Sequence, residues 1–330
     1  MVQIKRRNLV IAGGVTLTAL LMGGMARADA PRVVGWLTGG SPKSDARLLA
    51  AFREGLKAHG WVEGKNLRFE PRFAEGKPQR LPVLAAELIK LKPDVIFSGA
   101  TPVHLVLKEQ TSTIPIVMGT GADPVAVGLV PSLAHPGGNI TGMVGFLNET
   151  SIKMVEIVAS LIPPGSRVVL LLDVNTPFTR PEHQEQVMHA AHDLGIQAEY
   201  IKVATKEDVE RAFTGLAKNP PSAMVGFPSL LLWHVRRDVI KNTAKLKLPS
   251  IYPFEAFADA GGLMSYSAPL AESYRDAATF VDRILRGTKP GDLPIEQPTR
   301  LKLVVNLKTA KAQGVTIPQS VLVRADRVIQ

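Results

Sequence analysis

The sequence predicts an α/β chain of two lobes, each built on a parallel sheet and joined to the other by several crossings of the backbone. Three observations carry this. Short apolar runs alternate with amphipathic stretches, the alternation restarts near Ser151, and strand–helix pieces are left over after the second set. Apolar strands separated by helices describe a sheet covered on both faces. The leftover pieces require the chain to return from one lobe to the other.

The elements follow in order. Residues 32–37 (RVVGWL) form a short apolar run that ends at Gly39-Gly40. Ser44 or Asp45 caps a helix whose apolar face is Leu48, Leu49, Phe52 and Leu56, stopped by Gly60. Residues 67–73 read as a strand, 81–91 as a helix, 95–97 as a buried strand, 102–110 as a helix and 114–118 as a strand. In the second unit, helices are expected near 151–161, 180–194, 206–216 and 230–246, with strands at 168–172, 198–203, 223–226 and around Ile251. Residues 262–266 and 301–305 read as further strands, with a helix at 273–285 between them.

Residues 1–28 stand apart. Lys5-Arg6-Arg7 precede an apolar stretch from Leu9 to about Met25, which leaves through Ala26-Arg27-Ala28. A basic start, an apolar middle and a small-x-small exit describe an export signal cleaved after about Ala28. Arg6-Arg7 followed by Leu9-Val10 suits either the twin-arginine or the general secretion route. The formal charge of +10 falls to +6 once the segment's four basic residues are removed, a modest value for a solvated surface. The chain has no Cys, which excludes disulfides, Cys-ligated zinc, iron–sulfur clusters and thiol nucleophiles. Aromatic residues make up 5%, too few for a base-stacking platform.

Segments spread over about 290 residues carry a resemblance. They are Gly39-Gly40-Ser41-Pro42, Phe73-Ala74-Glu75-Gly76, Ser112-Thr113-Ile114-Pro115-Ile116-Val117-Met118, Asp123-Pro124-Val125, Pro136-Gly137-Gly138-Asn139-Ile140-Thr141-Gly142, Gly261-Gly262-Leu263-Met264-Ser265-Tyr266 and Val305-Asn306-Leu307-Lys308-Thr309-Ala310-Lys311. In this order and spacing the chain resembles the ABC-transporter substrate-binding proteins that include TrpX-type tryptophan-binding components. The resemblance implies the type I periplasmic-binding fold, with two Rossmann-like lobes and a multi-crossover hinge. On that basis lobe 1 is expected to hold residues 31–145 and about 263–287, and lobe 2 residues 146–258 and about 299–330. Crossings are expected near 143–146, 253–262 and 287–298. The implied role is a periplasmic solute-binding component of an importer, acting as a monomer. Its partners would be a small-molecule ligand and an ABC permease of the inner membrane, with the ATPase behind it. Two alternatives stay open: an exported sensor feeding a receptor, and a soluble α/β enzyme.

Motifs for chemistry fail. Gly119-Thr120-Gly121-Ala122-Asp123-Pro124 follows a strand, but Pro124 stands where a dinucleotide turn needs its third glycine. Gly64-Lys65 and Gly76-Lys77 lack the rest of a phosphate loop, and no Gly-x-Ser-x-Gly elbow is present. His189 and His192 share one predicted helix face, a spacing that suits Zn²⁺ or Ni²⁺, yet it reads more simply as a solvated face. No catalytic residue, metal or cofactor is expected, and no nucleic-acid partner.

A cleft between two such lobes collects the loops at the strand C-terminal ends. These supply Ser41, Ser98, Thr101, Thr120, Gly121 and Asp123 from the first lobe, and Asn175, Thr176, Ser229, Phe254 and Glu255 from the second. Ser98, Thr101, Thr120 and the Gly121 amide are expected to take a ligand carboxylate or carbonyl. Phe254 and Tyr266 would supply apolar walls, and Glu255 or Asp123 would pair with an ammonium group. The set fits an amino acid or a related small polar acid. The family often has a basic residue where this sequence has Glu255, which leaves the ligand's charge open. Trp233, flanked by Leu230–Leu232, is read as core or hinge packing.

Overall fold

A computed structural model describes residues 30–145 and 148–330. The expected export signal, residues 1–28, lies outside them, as does Phe146 of the first expected crossing. The first half runs β1 (Arg32–Thr38), α1 (Ala46–Ala58), β2 (Leu67–Phe73), α2 (Leu81–Lys90), β3 (Val95–Ser98), α3 (Thr101–Gln110), β4 (Ile116–Met118) and β5 (Ile140–Gly142). The second half runs α4 (Asn148–Ala159), β6 (Arg167–Asp173), α5 (Pro181–Asp193), β7 (Gln197–Val203), α6 (Lys206–Lys218), β8 (Ala223–Gly226), α7 (Leu230–His234), α8 (Arg236–Lys245), β9 (Ser250–Tyr252), α9 (Glu255–Asp259) and β10 (Met264–Ser267). It is followed by α10 (Leu270–Leu285), β11 (Lys302–Asn306), α11 (Leu307–Gln313), α12 (Gln319–Leu322) and β12 (Arg327–Ile329).

The strands form two sheets, ordered β2-β1-β3-β4-β5 and β12-β11-β10-β9-β8-β6-β7. Every pairing is parallel except β10 with β11. The alternation of side chains along each strand divides the core between the two faces of its sheet. Val34, Trp36, Val95 and Phe97 point to one face of the first sheet, where they meet Phe52 of α1 and Tyr274 of α10. Leu37, Ile96, Ile116 and Met118 point to the other, against Leu84 and Leu88 of α2 and Val103 and Leu107 of α3. In the second sheet Val168, Leu170 and Leu172 face α4 and α5, while Val169 and Leu171 face α6 and α8. Buried side chains on both faces of a strand are what a near-continuous apolar run encodes.

The structure corrects the expected division in one place. Met264–Ser267 lies in the second sheet, between β9 and β11, and not in lobe 1. Its run pairs in parallel with Ile251-Tyr252 because the short α9 returns the chain directly to that sheet. The helix after it, α10, does sit on the first lobe, against α1. A Cβ on Gly55 would meet the Arg275 carbonyl oxygen at 2.5 Å, which shows how near the two backbones run. The middle crossing therefore falls between β10 and α10 and not at 253–262.

The apolar pattern over residues 230–246 predicts one helix. The chain instead turns at Val235, whose φ and ψ are −93° and 14°. Val239, Ile240 and Thr243 of α8 are buried, whereas Leu230, Trp233 and His234 of α7 are directed at the space between the lobes. One straight helix has no way of presenting both sets.

Candidate functional site

The C-terminal ends of the central strands of both sheets face one cavity of about 460 Å³. Lobe 1 contributes Thr38, Gly40 and Asp45 after β1, the Glu75–Gln79 turn after β2, residues 99–102 after β3 and residues 120–122 after β4. Lobe 2 contributes Asp173 and residues 175–178 at the end of β6, 204–206 after β7, 228–231 and 233–235 after β8, and Phe254 after β9. Leu270 and Tyr274 of α10 complete the wall. Parallel strands all deliver their following loops to the same edge, so two such sheets facing one another make this cleft without any special motif.

Seven of the twelve sequence-predicted residues line it: Thr101, Thr120, Gly121, Asn175, Thr176, Ser229 and Phe254. Thr101 Oγ1 accepts the Ala122 N–H at 2.9 Å, which ties the loop after β4 to the first turn of α3 and leaves the hydroxyl proton to donate. Thr120 packs its hydroxyl on Gly145, where a Cβ would come within 1.7 Å of it. Ser229 Oγ caps α7 by accepting the Leu232 N–H at 2.8 Å, and Thr176 donates to the Asp173 carbonyl at 2.8 Å.

Five do not reach the cavity. Ser98 is wholly buried on β3, its carbonyl accepting from Gly119 N at 2.8 Å and meeting the His104 ring at 3.1 Å. Ser41 turns onto Ser44, with its N–H donating to that hydroxyl at 2.8 Å. Asp123 accepts the N–H groups of Val125 and Ala126 at 2.9 and 3.2 Å, so it holds a turn outside the cleft. Glu255, the first residue of α9, pairs instead with Arg327 at 3.2 Å. Tyr266 packs on the core of the second sheet. The two acids and two aromatics expected to meet the ligand's ammonium and apolar parts are thus reduced to Phe254.

Their places are taken by Asp45, expected only as a helix cap, and by Asp173, for which no site role was expected. Asp45 and Asp173 are 3% and 4% exposed and line the cavity from opposite lobes. Asp45 accepts from Thr38 Oγ1 at 2.7 Å, Ser44 Oγ at 2.8 Å and Trp233 Nε1 at 3.3 Å. The last bond crosses the cleft. Asp173 accepts from Asn175 N at 2.9 Å and Asn175 Nδ2 at 3.2 Å. Burial raises its carboxyl above the ordinary range, against the opposing pull of the Asn175 N–H, the Ser229 hydroxyl and the Leu231 N–H. Among the described residues neither carboxylate has a basic side chain within ion-pair distance. The Arg236 guanidinium acts on Asp45 from a distance, but a buried carboxylate without a direct ion pair is costly, and a cationic ligand relieves that cost.

The apolar wall is aromatic. The Trp233 and Phe254 rings meet edge to face at 5.6 Å, and the Arg236 guanidinium covers Trp233 at 4.6 Å. Tyr274 reaches the cavity from α10, with its hydroxyl 3.4 Å from the Gly99 carbonyl. Burial, and after it the charge of Asp45, raise its phenol well above the usual range. A signal for Asp173 exists in the sequence, since it directly follows the apolar run Val168–Leu172 at its C-terminal edge.

His189 and His192 are exposed on α5 and lie 3.5 and 3.6 Å from Asp193. No group of three metal-ligating side chains occurs among the described residues.

A tyrosine-binding protein of Clostridioides difficile (strain R20291) is 25% identical over 265 residues, covering 79% of this chain and 74% of that protein. A Streptococcus pneumoniae ABC domain in complex with L-Trp superposes with a TM-score of 0.83 at 23% identity, over 91% of this chain and 100% of that one. A conserved domain protein of Vibrio cholerae gives 0.82 at 26% identity, over 90% and 99%. The fold they share is the type I periplasmic-binding fold, in agreement with the two sheets and their crossings. Residues 43–329 match the family described as ABC transporter substrate binding protein, and the chain belongs to that family.

Proposed function

We propose that this protein is the solute-binding component of an ABC-type importer and that its two lobes close on an aromatic amino acid. One observation carries the reading: a single cavity takes a buried carboxylate from each lobe, Asp45 and Asp173, neither of them in a direct ion pair, beside aromatic walls and threonine hydroxyls. The ammonium group of the ligand sits between the two carboxylates. Its carboxylate takes the hydroxyls of Thr101 and Thr120 and the Gly121 amide, as the sequence suggested. Trp233, Phe254 and Tyr274 enclose its ring. The volume of about 460 Å³ lies in the ~300–1,000 Å³ range of small-molecule sites. The tyrosine-binding relative and the L-Trp complex support the same ligand class.

In this reading the protein binds and releases its solute unchanged. It is exported after cleavage near Ala28, works as a monomer and presents its closed form to an inner-membrane permease. Ligand contacts that only the closed state completes shift the protein toward that state.

Calorimetry and thermal denaturation of the mature protein test this with L-tyrosine, L-tryptophan and their des-amino acids. A bound amino acid at 100 times its Kd adds about 2.7 kcal/mol of stability. Asp173→Asn is expected to weaken binding by about 2–5 kcal/mol, the cost of breaking a buried charge pair. Equal affinity for the amino acid and its des-amino analogue would exclude the proposed ammonium site.

A further inference from the structure

The helix α7 reaches out of lobe 2 into a pocket of lobe 1 that only residues without side chains make possible. A Cβ built on Gly39 would lie 2.5 Å from Leu230 Cδ1 and 3.2 Å from its Cγ. One built on Gly76 would lie 2.7 Å from His234 Nδ1. Between these two points Trp233 donates its indole N–H to Asp45. Three side chains of one five-residue helix therefore cross the cleft together.

Both partners are held rigidly by their own lobes. In lobe 1 the loops after β1 and β2 are stitched by three backbone bonds, Ala74 N to Thr38 O at 2.9 Å, Glu75 N to Gly40 O at 2.8 Å and Gly76 N to Gly39 O at 2.8 Å. Glu75 and Gly76 take left-handed φ values of 55° and 75°, which turn the second loop back onto the first. In lobe 2 the helix is fixed by the Ser229 cap, by Leu232 buried against the second sheet, and by Arg236, which donates to the Trp233 carbonyl at 2.7 Å.

We infer that α7 is a latch and the Gly39–Gly40 and Glu75–Gly76 loops its socket, so that part of the closing energy comes from contact between the lobes and not from the solute. This goes beyond the proposed ligand, though it rests on the closure of two lobes proposed above. Leu230 and Gly39 then set affinity as positioning residues, by changing how far the closed state is favoured.

The absence of Cys permits a direct test. In Gly39→Cys combined with Leu230→Cys the two side chains are near enough to bridge, since a Cβ on Gly39 lies 3.2 Å from Leu230 Cγ, the place a cysteine sulfur takes. Oxidised without solute, this variant is expected to lose both free thiols and to give the smaller radius of gyration of the shut form in solution X-ray scattering. Gly39→Leu is the wedge. It is expected to keep the wild-type circular dichroism, to show a larger radius of gyration than the cross-linked protein, and to release L-tyrosine about tenfold faster than wild type. Adding Leu230→Ala to the wedge is expected to restore compaction, an outcome that a merely misfolded variant does not produce. A wedge as compact as the cross-linked protein, with unchanged release, overturns the latch, as does a wedge that Leu230→Ala fails to rescue. If wild type binds neither L-tyrosine nor L-tryptophan, the ligand reading fails, while the scattering of the wedge, the rescue and the cross-linked form still decides the latch.

Discussion

His104 makes the folded protein sensitive to mild acid. The imidazole lies fully buried on α3, beneath the loop after β4. A Cβ on Gly121 would approach its Cε1 to 3.1 Å. Burial lowers its pKa from 6.5 to about 4, with the bond to the Ser98 carbonyl acting weakly in the opposite direction. Above pH 6.5 the ring is neutral in both folded and unfolded chains and costs nothing. As the pH falls, the unfolded chain takes up the proton first, so stability is lost between about 6.5 and 4. At pH 5 this one group removes about 2 kcal/mol. His104→Leu abolishes the proton uptake and leaves no orphaned acceptor, because the Ser98 carbonyl keeps the Gly119 N–H at 2.8 Å. Urea denaturation of both proteins at pH 7 and pH 5 measures the difference. Wild type should lose about 2 kcal/mol more than the variant over that interval. His183, lowered in the same direction by burial, contributes equally to both proteins. Equal losses in the two proteins would refute the assignment of a buried neutral imidazole to position 104.

Two further outcomes are expected. Trp233 lines the cavity while Trp36 is sealed in the first lobe's core and Trp61 is tied to Asp282 at 2.8 Å; a solute-induced change in tryptophan emission should therefore vanish in Trp233→Phe and persist in Trp61→Phe. Thr205 and Asp208 form a reciprocal cap at the start of α6, and Thr205→Ala should cost about 1 kcal/mol in urea denaturation. These bonds to the Ala204 and Thr205 N–H groups and the Thr205 hydroxyl hold the Asp208 carboxyl below its ordinary range, so the cap's contribution is present at neutral pH and is lost as the pH falls below about 4.

Much of the fold was legible because it is encoded locally. The run RVVLLLD has apolar side chains for both faces of a sheet, and that pattern does not depend on which strand lies beside it. The strands that escaped notice, β5 and β12, are three residues long. They extend sheets whose other members lie far away in sequence, so nothing in their own residues announces them. The placement of β10 went wrong for a related reason: a four-residue strand suits either sheet, and its partners Ile251-Tyr252 and Leu303–Val305 decide which one it joins.

The ligand site divides along the same line. The sequence by itself determined the two-lobed α/β plan, the loops that follow the strands, and seven residues that meet in the cavity, since position after a parallel strand is a property of chain order. Tertiary structure alone decided which carboxylates face inward. Asp123 and Glu255 satisfy themselves on neighbouring backbone and on Arg327, while Asp45 and Asp173 are held at the cavity by donors of their own lobes. It also decided the role of Trp233, whose apolar neighbours suggest a core residue until the turn at Val235 aims it across the cleft at Asp45. Direction in space depends on packing between segments distant in the chain, and a linear pattern carries no record of it.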